Sequence, residues 1–244
     1  MQISKNILRV VGRTLAKYKM FSEGDKVLLG LSGGKDSILL AHLLAHFSRV
    51  TPQKFEFKAV TIRYGVGEDL DFLGEYCKKE GIDHEFLDTQ IYEIGLQKVR
   101  QGSVFCSFCS RMRRGHLYTY AQNNGFNKLA LGHHLDDAAE SFFMNFSYNG
   151  ALRTLPPKYT AKNGLVVLRP MIELRERQIR DCIERNGVRV VGCDECPAKK
   201  FDKTPFARQN SKEILQDLER QNPRLFISLL SAFENIHTES FFKA

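Results

Sequence analysis

Six consecutive residues near the N-terminus have the types that bind a phosphate group: Ser32, Gly33, Gly34, Lys35, Asp36 and Ser37. Glycines let backbone N–H groups approach an anion closely, and the serines and the lysine add donors and positive charge. A carboxylate beside a phosphate is unfavourable unless a cation bridges the two, so Asp36 implies Mg²⁺. The loop is not a Walker A loop, because Leu29 stands where that pattern requires glycine and Asp36 follows Lys35. These types predict a nucleotide site, and the alternative is a purely structural turn between a strand and a helix.

Four of the six cysteines form two C-x-x-C pairs, Cys106 with Cys109 and Cys193 with Cys196. In a reducing cytosol such pairs are more often metal-binding or catalytic than bridged. The spacing of the first pair suits one metal held from a turn. From spacing alone two sites fit equally well. One is a closed four-cysteine zinc site, and the other is an iron–sulfur cluster held by three thiolates with one iron left open. The two remaining cysteines, which stand alone, are expected to be small buried residues.

Other polar and basic residues cluster near these motifs. A stretch between a strand and a helix contains His133, His134, Asp136 and Asp137. Adjacent side chains point in different directions, so this stretch is not by itself a metal site, and helix capping by one of the aspartates is the alternative. The first cysteine pair is followed by Arg111, Arg113 and Arg114, which suit phosphate contact. A track for a nucleic acid could also include Arg153, Lys158, Lys199, Lys200, Lys203 and Arg208.

The elements that must position these residues alternate between strands and helices. Apolar runs predict strands at 26–31, 55–65, 83–89, 128–134, 165–171 and 188–192. Helical spacing predicts helices at 3–20, 36–47, 69–81, 136–150 and 176–187, and two more in the tail, split by Asn222-Pro223. The segment 103–125 is predicted as a loop followed by a helix, and 153–163 as a linker. This alternation predicts a doubly wound parallel α/β sheet with flanking N- and C-terminal helices, whose ligands bind beyond the carboxyl ends of the strands.

Composition sets the class of protein. The chain has 244 residues, 43% of them hydrophobic and 26% charged, which excludes a disordered chain, a collagen and a coiled coil. The formal net charge of +8 suggests a polyanionic partner. No apolar run is long enough to span a bilayer, and the N-terminus does not have the pattern of a secretory signal, so we expect a cytoplasmic protein without a membrane partner. The expected domains are an N-terminal basic helix (1–24), a nucleotide-binding domain (25–200) and a C-terminal helical tail (201–244).

The glycine-rich loop resembles the PP-loop of the N-type ATP pyrophosphatases. The resemblance implies their adenine nucleotide alpha hydrolase-like fold and their chemistry. In that chemistry, a carbonyl oxygen of the substrate is adenylated, pyrophosphate leaves, and a nucleophile then displaces AMP.

Longer motifs narrow the resemblance to one family within this superfamily. The segments CSFCSRMRRG, LGHHLDDAAESFFMNFSYNG and LRTLPPKY and the late Cys193 are similar to those of the TtcA family, which makes 2-thiocytidine in tRNA. The similarity runs from about residue 5 to residue 240. It implies an enzyme that uses ATP, Mg²⁺ and a [4Fe-4S] cluster on tRNA, with sulfur from sulfide or from a cysteine desulfurase. A homodimer is left open.

The family's site residues carry over by position in its motifs. The cluster ligands would be Cys106, Cys109 and Cys193, with Cys196 as the alternative third ligand. Gly132 and His133 would line the ATP site, and the catalytic residues would be Asp36, Asp137 and Arg113. Two other functions stay open at this stage. One is an amine-ligating ATP pyrophosphatase of the lysidine-synthetase kind with a structural zinc site, and the other is a non-enzymatic nucleotide-binding module.

Overall fold

The computed structural model describes residues 1–66, 68–98, 105–192 and 206–242, except for the side chains at 106, 107 and 206. The strands found there are β1 (Asp25–Gly30), β2 (Phe55–Arg63), β3 (His84–Asp88), β4 (Lys128–Ala130), β5 (Lys158–Thr160) and β6 (Val166–Leu168). The α-helices are α1 (Lys5–Lys17), α2 (Lys35–Val50), α3 (Asp71–Glu80), α4 (Ile91–Lys98), α5 (Phe105–Asn123), α6 (Leu135–Asn149), α7 (Glu176–Arg185), α8 (Phe206–Gln221) and α9 (Leu225–Glu234).

The strands form one sheet in the order β3-β2-β1-β4-β6-β5. Every neighbouring pair is parallel except β5 and β6. The strand order reverses between β1 and β4, and ligands of such sheets bind beyond the carboxyl ends of the strands at that point. The predicted doubly wound α/β fold is confirmed.

Strand β1 is buried on both faces, as its aliphatic run predicts. Val27 and Leu29 belong to a core cluster that includes α1, α2, α3 and α7, whereas Leu28 belongs to a second cluster with α4 and α5. Alternate side chains of a strand point to opposite faces, so the two clusters are the two helix layers that cover the sheet. A third, smaller cluster joins α6 to α8 and α9.

Several local predictions are confirmed. Helix α3 ends at Gly81, whose φ of 69° is left-handed. The lone cysteines, Cys77 and Cys182, are both buried. The tail contains two helices that are separated near Asn222-Pro223. In the described part of the chain, no helix is long and apolar enough to cross a membrane.

The helix predicted within 103–125 is confirmed, but the turn expected at the first cysteine pair is wrong. Helix α5 already begins at Phe105, so Cys106 and Cys109 lie in its first two turns. Tertiary packing explains the early start. The Phe105 ring lies against Gly95 of α4, where an added Cβ would come within 2.7 Å of the ring. Helix α4 itself has no counterpart among the predicted elements.

Two further predictions are wrong on the other side of the sheet. The segment 153–163 is not a linker, because it contains β5, which pairs with β6 through the register Tyr159↔Val167. The segment 188–192 is not a strand of the sheet. Its backbone instead bonds to the glycine-rich loop, where the Val191 N–H donates to the Gly33 carbonyl at 2.9 Å. In both cases a neighbouring segment, rather than the local pattern, determines the structure.

Candidate functional site

The glycine-rich loop joins β1 to α2 at the carboxyl end of the central strand. The Ser32 N–H donates to Ser37 Oγ at 3.2 Å, and Ser37 Oγ donates to the Gly34 carbonyl at 2.9 Å. The two serine hydroxyls lie 3.1 Å apart. These bonds hold the loop around the N-terminus of α2, so the free backbone N–H groups there are available to an anion.

Two positions of the predicted ATP site are glycines because neighbouring segments approach them too closely for a side chain. Gly33 has a φ of +79°, and an added Cβ would meet Val191 Cγ2 at 2.5 Å. At Gly132 an added Cβ would lie 3.2 Å from the backbone of Asp36 and Ser37. The end of β4 therefore packs directly against the first turn of α2, and this contact brings the His-Asp stretch to the loop.

Asp36 contains a buried carboxylate oxygen. Its Oδ1 has no hydrogen-bond partner among the described residues, although His134 Nε2 lies 3.7 Å away from it, while Oδ2 accepts from Lys35 Nζ at 3.1 Å. Burial raises the pKa of Asp36, although the nearby charges of Lys35 and His134 act in the opposite direction. A buried carboxylate oxygen without a partner is costly, and a hard cation is the ligand that it suits. This oxygen fits the Mg²⁺ expected from the sequence.

Lys35 has a second partner that the sequence does not reveal. This partner is Glu176, the first residue of α7, whose Oε1 lies 3.1 Å from Lys35 Nζ. Two further cations contact the same carboxylate: Arg180 Nη2 lies 3.5 Å from Oε1, and Lys212 Nζ lies 3.5 Å from Oε2. Burial alone would raise the pKa of Glu176, but Lys35 and the other cations lower it to about 2. Glu176 therefore stays ionised and holds the loop lysine in place.

The aspartates of the His-Asp stretch have different roles. Asp136 accepts hydrogen bonds from the Arg175 guanidinium and, at 2.7 Å, from the Glu176 N–H, so it ties α6 to α7. Asp137 accepts the His134 N–H at 3.0 Å, and the His134 ring accepts the Asp137 N–H in return, which forms a capping box. The capping expected of an aspartate is thus shared between His134 and Asp137.

Arg208 binds to the remaining oxygen of Asp137. Its Nη2 lies 2.7 Å from Asp137 Oδ1, and its Nε lies 2.8 Å from Glu140 Oε2. The residue belongs to α8 and is a candidate for the nucleic-acid track, but here its guanidinium is shared by two carboxylates of α6. It therefore links the C-terminal helices to the site.

Two adjacent cavities open at the tip of β1. One of about 330 Å³ has a mostly apolar wall that includes Val60, Ile62, Tyr64 and Leu70, and it also reaches Gly192. The other, of about 230 Å³, is polar and is lined by His133, Asp137, Ser110 and Arg114 among others. Both cavities share the lining residues Gly30, Ser32, Asp36, Arg113 and Leu117. The structure therefore brings most of the predicted ATP and catalytic residues to one place.

Helix α5 brings the first cysteine pair toward these cavities. Positions 106, 110, 113 and 117 share one side of an α-helix, and Ser110, Arg113 and Leu117 line the polar cavity. Arg113 Nη1 donates to Tyr64 Oη at 2.8 Å. Cys109 is buried, and at 1.5 Å per residue it lies about 6 Å along the helix axis from Arg113. The cysteine pair thus begins the helix whose face forms the cavity wall.

The full set of cluster ligands lies partly outside the described residues. This applies to Cys193, Cys196 and the side chain of Cys106. Within the described ranges, no group of three or more histidines, cysteines, aspartates or glutamates could hold a metal ion. Gly192, which immediately precedes Cys193 in the sequence, lines the larger cavity. The ligand assignment therefore stays a prediction.

Sequence reasoning also missed Arg169, which follows β6 and is buried. Its Nε donates to His133 Nδ1 at 3.1 Å. Of the lysines in the expected track, Lys158 lies within the described ranges, and it donates to the Lys19 carbonyl at 2.6 Å. Neither contact has a local sequence signal, because each joins segments that only the fold brings together.

The doubly wound sheet and the serine–glycine loop at its switch point define a PP-loop nucleotide-binding domain, and the model of the PP-loop domain family matches residues 4–204. The tRNA-cytidine(32) 2-sulfurtransferase of Geobacter metallireducens is 40% identical over 95% of this chain and 90% of its own length. That of Pseudomonas syringae pv. syringae is 37% identical over 96% and 85%. The chain therefore belongs to the tRNA-cytidine(32) 2-sulfurtransferase (TtcA) family of tRNA thiolation enzymes.

A solved structure, the U34-tRNA thiolase NcsA of Methanococcus maripaludis with its [4Fe-4S] cluster, has the same fold. The superposition of the two structures has a TM-score of 0.76 at 24% sequence identity, and it covers 94% of this chain and 77% of the thiolase chain.

Proposed function

We propose that this protein is an ATP-dependent tRNA sulfurtransferase that replaces the 2-oxygen of a cytidine in the anticodon arm with sulfur. One observation carries the proposal: the PP-loop and the helix that begins with the cysteine pair line the same pair of cavities. Adenylation acts on O2 of the base and sulfur transfer acts on the adjacent C2, so the two sets of residues must converge. The names and identities of the curated relatives support the same activity.

The larger cavity suits the adenosine part of ATP. Its apolar wall from β2 can pack against a base, while Ser32 and Gly34 at its edge belong to the loop that would hold the phosphates. Asp36 would hold Mg²⁺ through its unpaired oxygen, and the cation would neutralise the negative charge between this carboxylate and the phosphates.

The polar cavity suits the reacting groups. The O2 atom of cytidine attacks the α-phosphorus, a new P–O bond forms, and the bond to pyrophosphate breaks. Arg113 and Arg114 would stabilise the negative charge on the phosphate oxygens. Asp137 would orient His134 and Arg208 at this wall through its two hydrogen-bonded oxygens.

Sulfur then replaces the activated oxygen. A hydrosulfide attacks C2 of the adenylated base, the C2–O bond breaks, AMP leaves and the proton of the hydrosulfide is released. Cys106, Cys109 and Cys193 would hold a [4Fe-4S] cluster, which when bound supplies an open iron that can hold sulfide as a Lewis acid. The sulfur comes from sulfide or from a cysteine desulfurase, and the +8 net charge supports binding of tRNA.

The test is a reaction of anaerobically purified protein with ATP, sulfide and tRNA that lacks thiolation. We expect AMP, pyrophosphate and a cytidine in which one oxygen has been replaced by sulfur, detected by mass spectrometry of the digested tRNA. Iron and zinc are quantified in the same preparation. Zinc without iron, or an amine-ligated base in place of a thiolated one, would favour the lysidine-synthetase alternative and contradict the proposal.

Three variants separate the parts of the site. Cys109→Ser should lose iron and product but keep ATP binding, whereas Lys35→Ala should keep iron but lose ATP binding and product. Cys182→Ala is the matched control, because Cys182 is buried in α7 within the main core and should keep all three. Loss of iron from the control alone would refute the ligand assignment.

A further inference from the structure

Arg169 is a buried charge without a carboxylate partner among the described residues. It is 4% exposed, and its hydrogen bonds go to His133 Nδ1 (3.1 Å) and the Pro156 carbonyl (2.5 Å). The guanidinium also lies 5.2 Å from the centre of the Tyr159 ring. Burying a guanidinium without an opposite charge is costly, so a role beyond packing is expected for it.

The contact with His133 determines where the imidazole proton lies. A guanidinium can only donate hydrogen bonds, so His133 Nδ1 must accept. A neutral imidazole has one N–H, which is then on Nε2. Because His133 lines the polar cavity, this tautomer supplies that cavity with a hydrogen-bond donor.

Burial, together with the nearby arginines, keeps the His133 ring neutral. Burial, followed by the charge of Arg169, lowers the pKa of His133 to about 4. Asp137 acts in the opposite direction, whereas Arg114 and Arg208 add to the lowering. At neutral pH the ring is therefore uncharged.

We propose that Arg169 is a positioning residue that holds His133 as the Nε2–H tautomer, so that His133 donates a hydrogen bond to a phosphate oxygen of the bound nucleotide. This inference rests on the proposed function, which places a nucleotide in these cavities. The ligand class follows from the lining, because the serine hydroxyls of the loop and Arg113 and Arg114 share this cavity with His133. The cavity also has two carboxylates, but Asp36 is paired with Lys35 and Asp137 with Arg208, so the remaining donors and cations suit an anion.

Neighbouring residues keep Arg169 in position. The Arg169 N–H donates to the Pro157 carbonyl at 2.9 Å, and Tyr159 Oη lies 3.0 Å from Tyr118 Oη of α5. The β5–β6 hairpin, which contains Tyr159, therefore helps to hold the Arg169 guanidinium in place. Tyr118→Phe removes one hydroxyl from this support without touching His133, so it is the matched control for general loosening of the hairpin.

The first test is ¹⁵N NMR of the histidine side chains in the full chain without nucleotide, with the His133 signal assigned through His133→Gln. We expect Nε2 to be protonated and Nδ1 to be unprotonated between about pH 6 and pH 8, the range in which an ordinary histidine titrates. In Arg169→Met we expect a mixture of tautomers and titration at a higher pH, and in Tyr118→Phe no change. A wild-type ring protonated on Nδ1, or an unchanged ring in Arg169→Met, would overturn the proposal.

The second test measures binding of a non-hydrolysable ATP analogue. Arg169→Met should weaken binding about tenfold, which corresponds to about 1.4 kcal/mol. The side-chain amide of glutamine can replace the Nε2–H, so in the His133→Gln background the same Arg169 substitution should have little effect. An equal loss in both backgrounds would assign Arg169 a structural role only. If Arg169→Met does not fold, Arg169→Lys and the wild-type NMR spectrum still test the tautomer.

The two proposals fail in different ways. A wild-type protein that binds the analogue but never thiolates tRNA contradicts the proposed function and leaves the tautomer result intact. A thiolating enzyme with His133 protonated on Nδ1 contradicts only the role of Arg169.

Discussion

Replacing Glu176 with glutamine should destabilise the protein more at neutral pH than in acid. The carboxylate of Glu176 contacts Lys35 at 3.1 Å and Lys212 and Arg180 at 3.5 Å. Glutamine keeps the shape of the side chain but removes its charge. The predicted effect is therefore electrostatic and depends on the protonation of this one group.

The magnitude follows from the pKa of Glu176. It falls from an ordinary 4.5 to about 2 in the folded protein, and each pKa unit corresponds to about 1.4 kcal/mol. The full shift would correspond to about 3 kcal/mol. The side chain is 19% exposed, so solvent screening reduces our expectation to about 1–2 kcal/mol.

The direction of the pH dependence follows from linkage. A carboxyl group with a lowered folded pKa contributes stability above its unfolded pKa and loses it as the pH falls through its folded pKa. The stabilisation by Glu176 should be complete above about pH 5 and should disappear toward about pH 2. The difference between wild type and variant should follow the same course.

Urea unfolding of wild type and Glu176→Gln at neutral pH and at about pH 3 measures this difference. Glu184→Gln, at an exposed position on the same helix, is the control and should change little at either pH. A Glu176→Gln effect of equal size at both pH values would show that packing, rather than charge, explains it. No effect at neutral pH would refute the ion pair with Lys35.

Three other substitutions test separate parts of the site. Gly33→Ala should abolish ATP binding in calorimetry and cost more than 1 kcal/mol of stability (~1–3), because the added Cβ would clash with Val191 at a φ of +79°. Gly164→Ala, with a φ of +84° and open space around it, should show the backbone strain alone, and equal losses in the two would contradict the clash. Asp36→Asn should abolish Mg²⁺-dependent ATP binding. It should also raise the melting temperature at neutral pH, because burial raises the pKa of this carboxyl and its ionised form therefore destabilises the fold. A lower melting temperature would contradict this. Arg208→Ala should lower product formation more than ATP binding, because its partners Asp137 and Glu140 belong to α6 and not to the glycine-rich loop. Unchanged turnover would refute a role for α8 in the site.

Local sequence patterns accounted for the centre of the fold. The aliphatic run of β1 and the helical spacing of α2 bracket the glycine-rich loop, so the position of the loop between a strand and a helix could be predicted without the structure. The resemblance to the TtcA family was also available from the sequence, because its motifs are short continuous segments. The family is confirmed by relatives of about 40% identity.

Predictions failed where a neighbouring segment determines the conformation. The segment that contains β5 has no strong pattern of its own, and its strand exists because the edge of β6 supplies hydrogen-bond partners. The first cysteine pair became helical because Phe105 packs onto Gly95 of α4. Nothing within either segment signals these contacts.

The sequence by itself determined which residues could bind a nucleotide and a metal, and roughly which strand tips would carry them. Periodicity and residue type act over a few neighbouring positions, and those interactions are visible in a linear string. Only the tertiary structure showed that Glu176 holds Lys35, that Arg169 bonds to His133 and that Arg208 reaches Asp137. Each of these contacts joins charged or polar groups from distant segments, and their distances are set by how the helices and strands pack together.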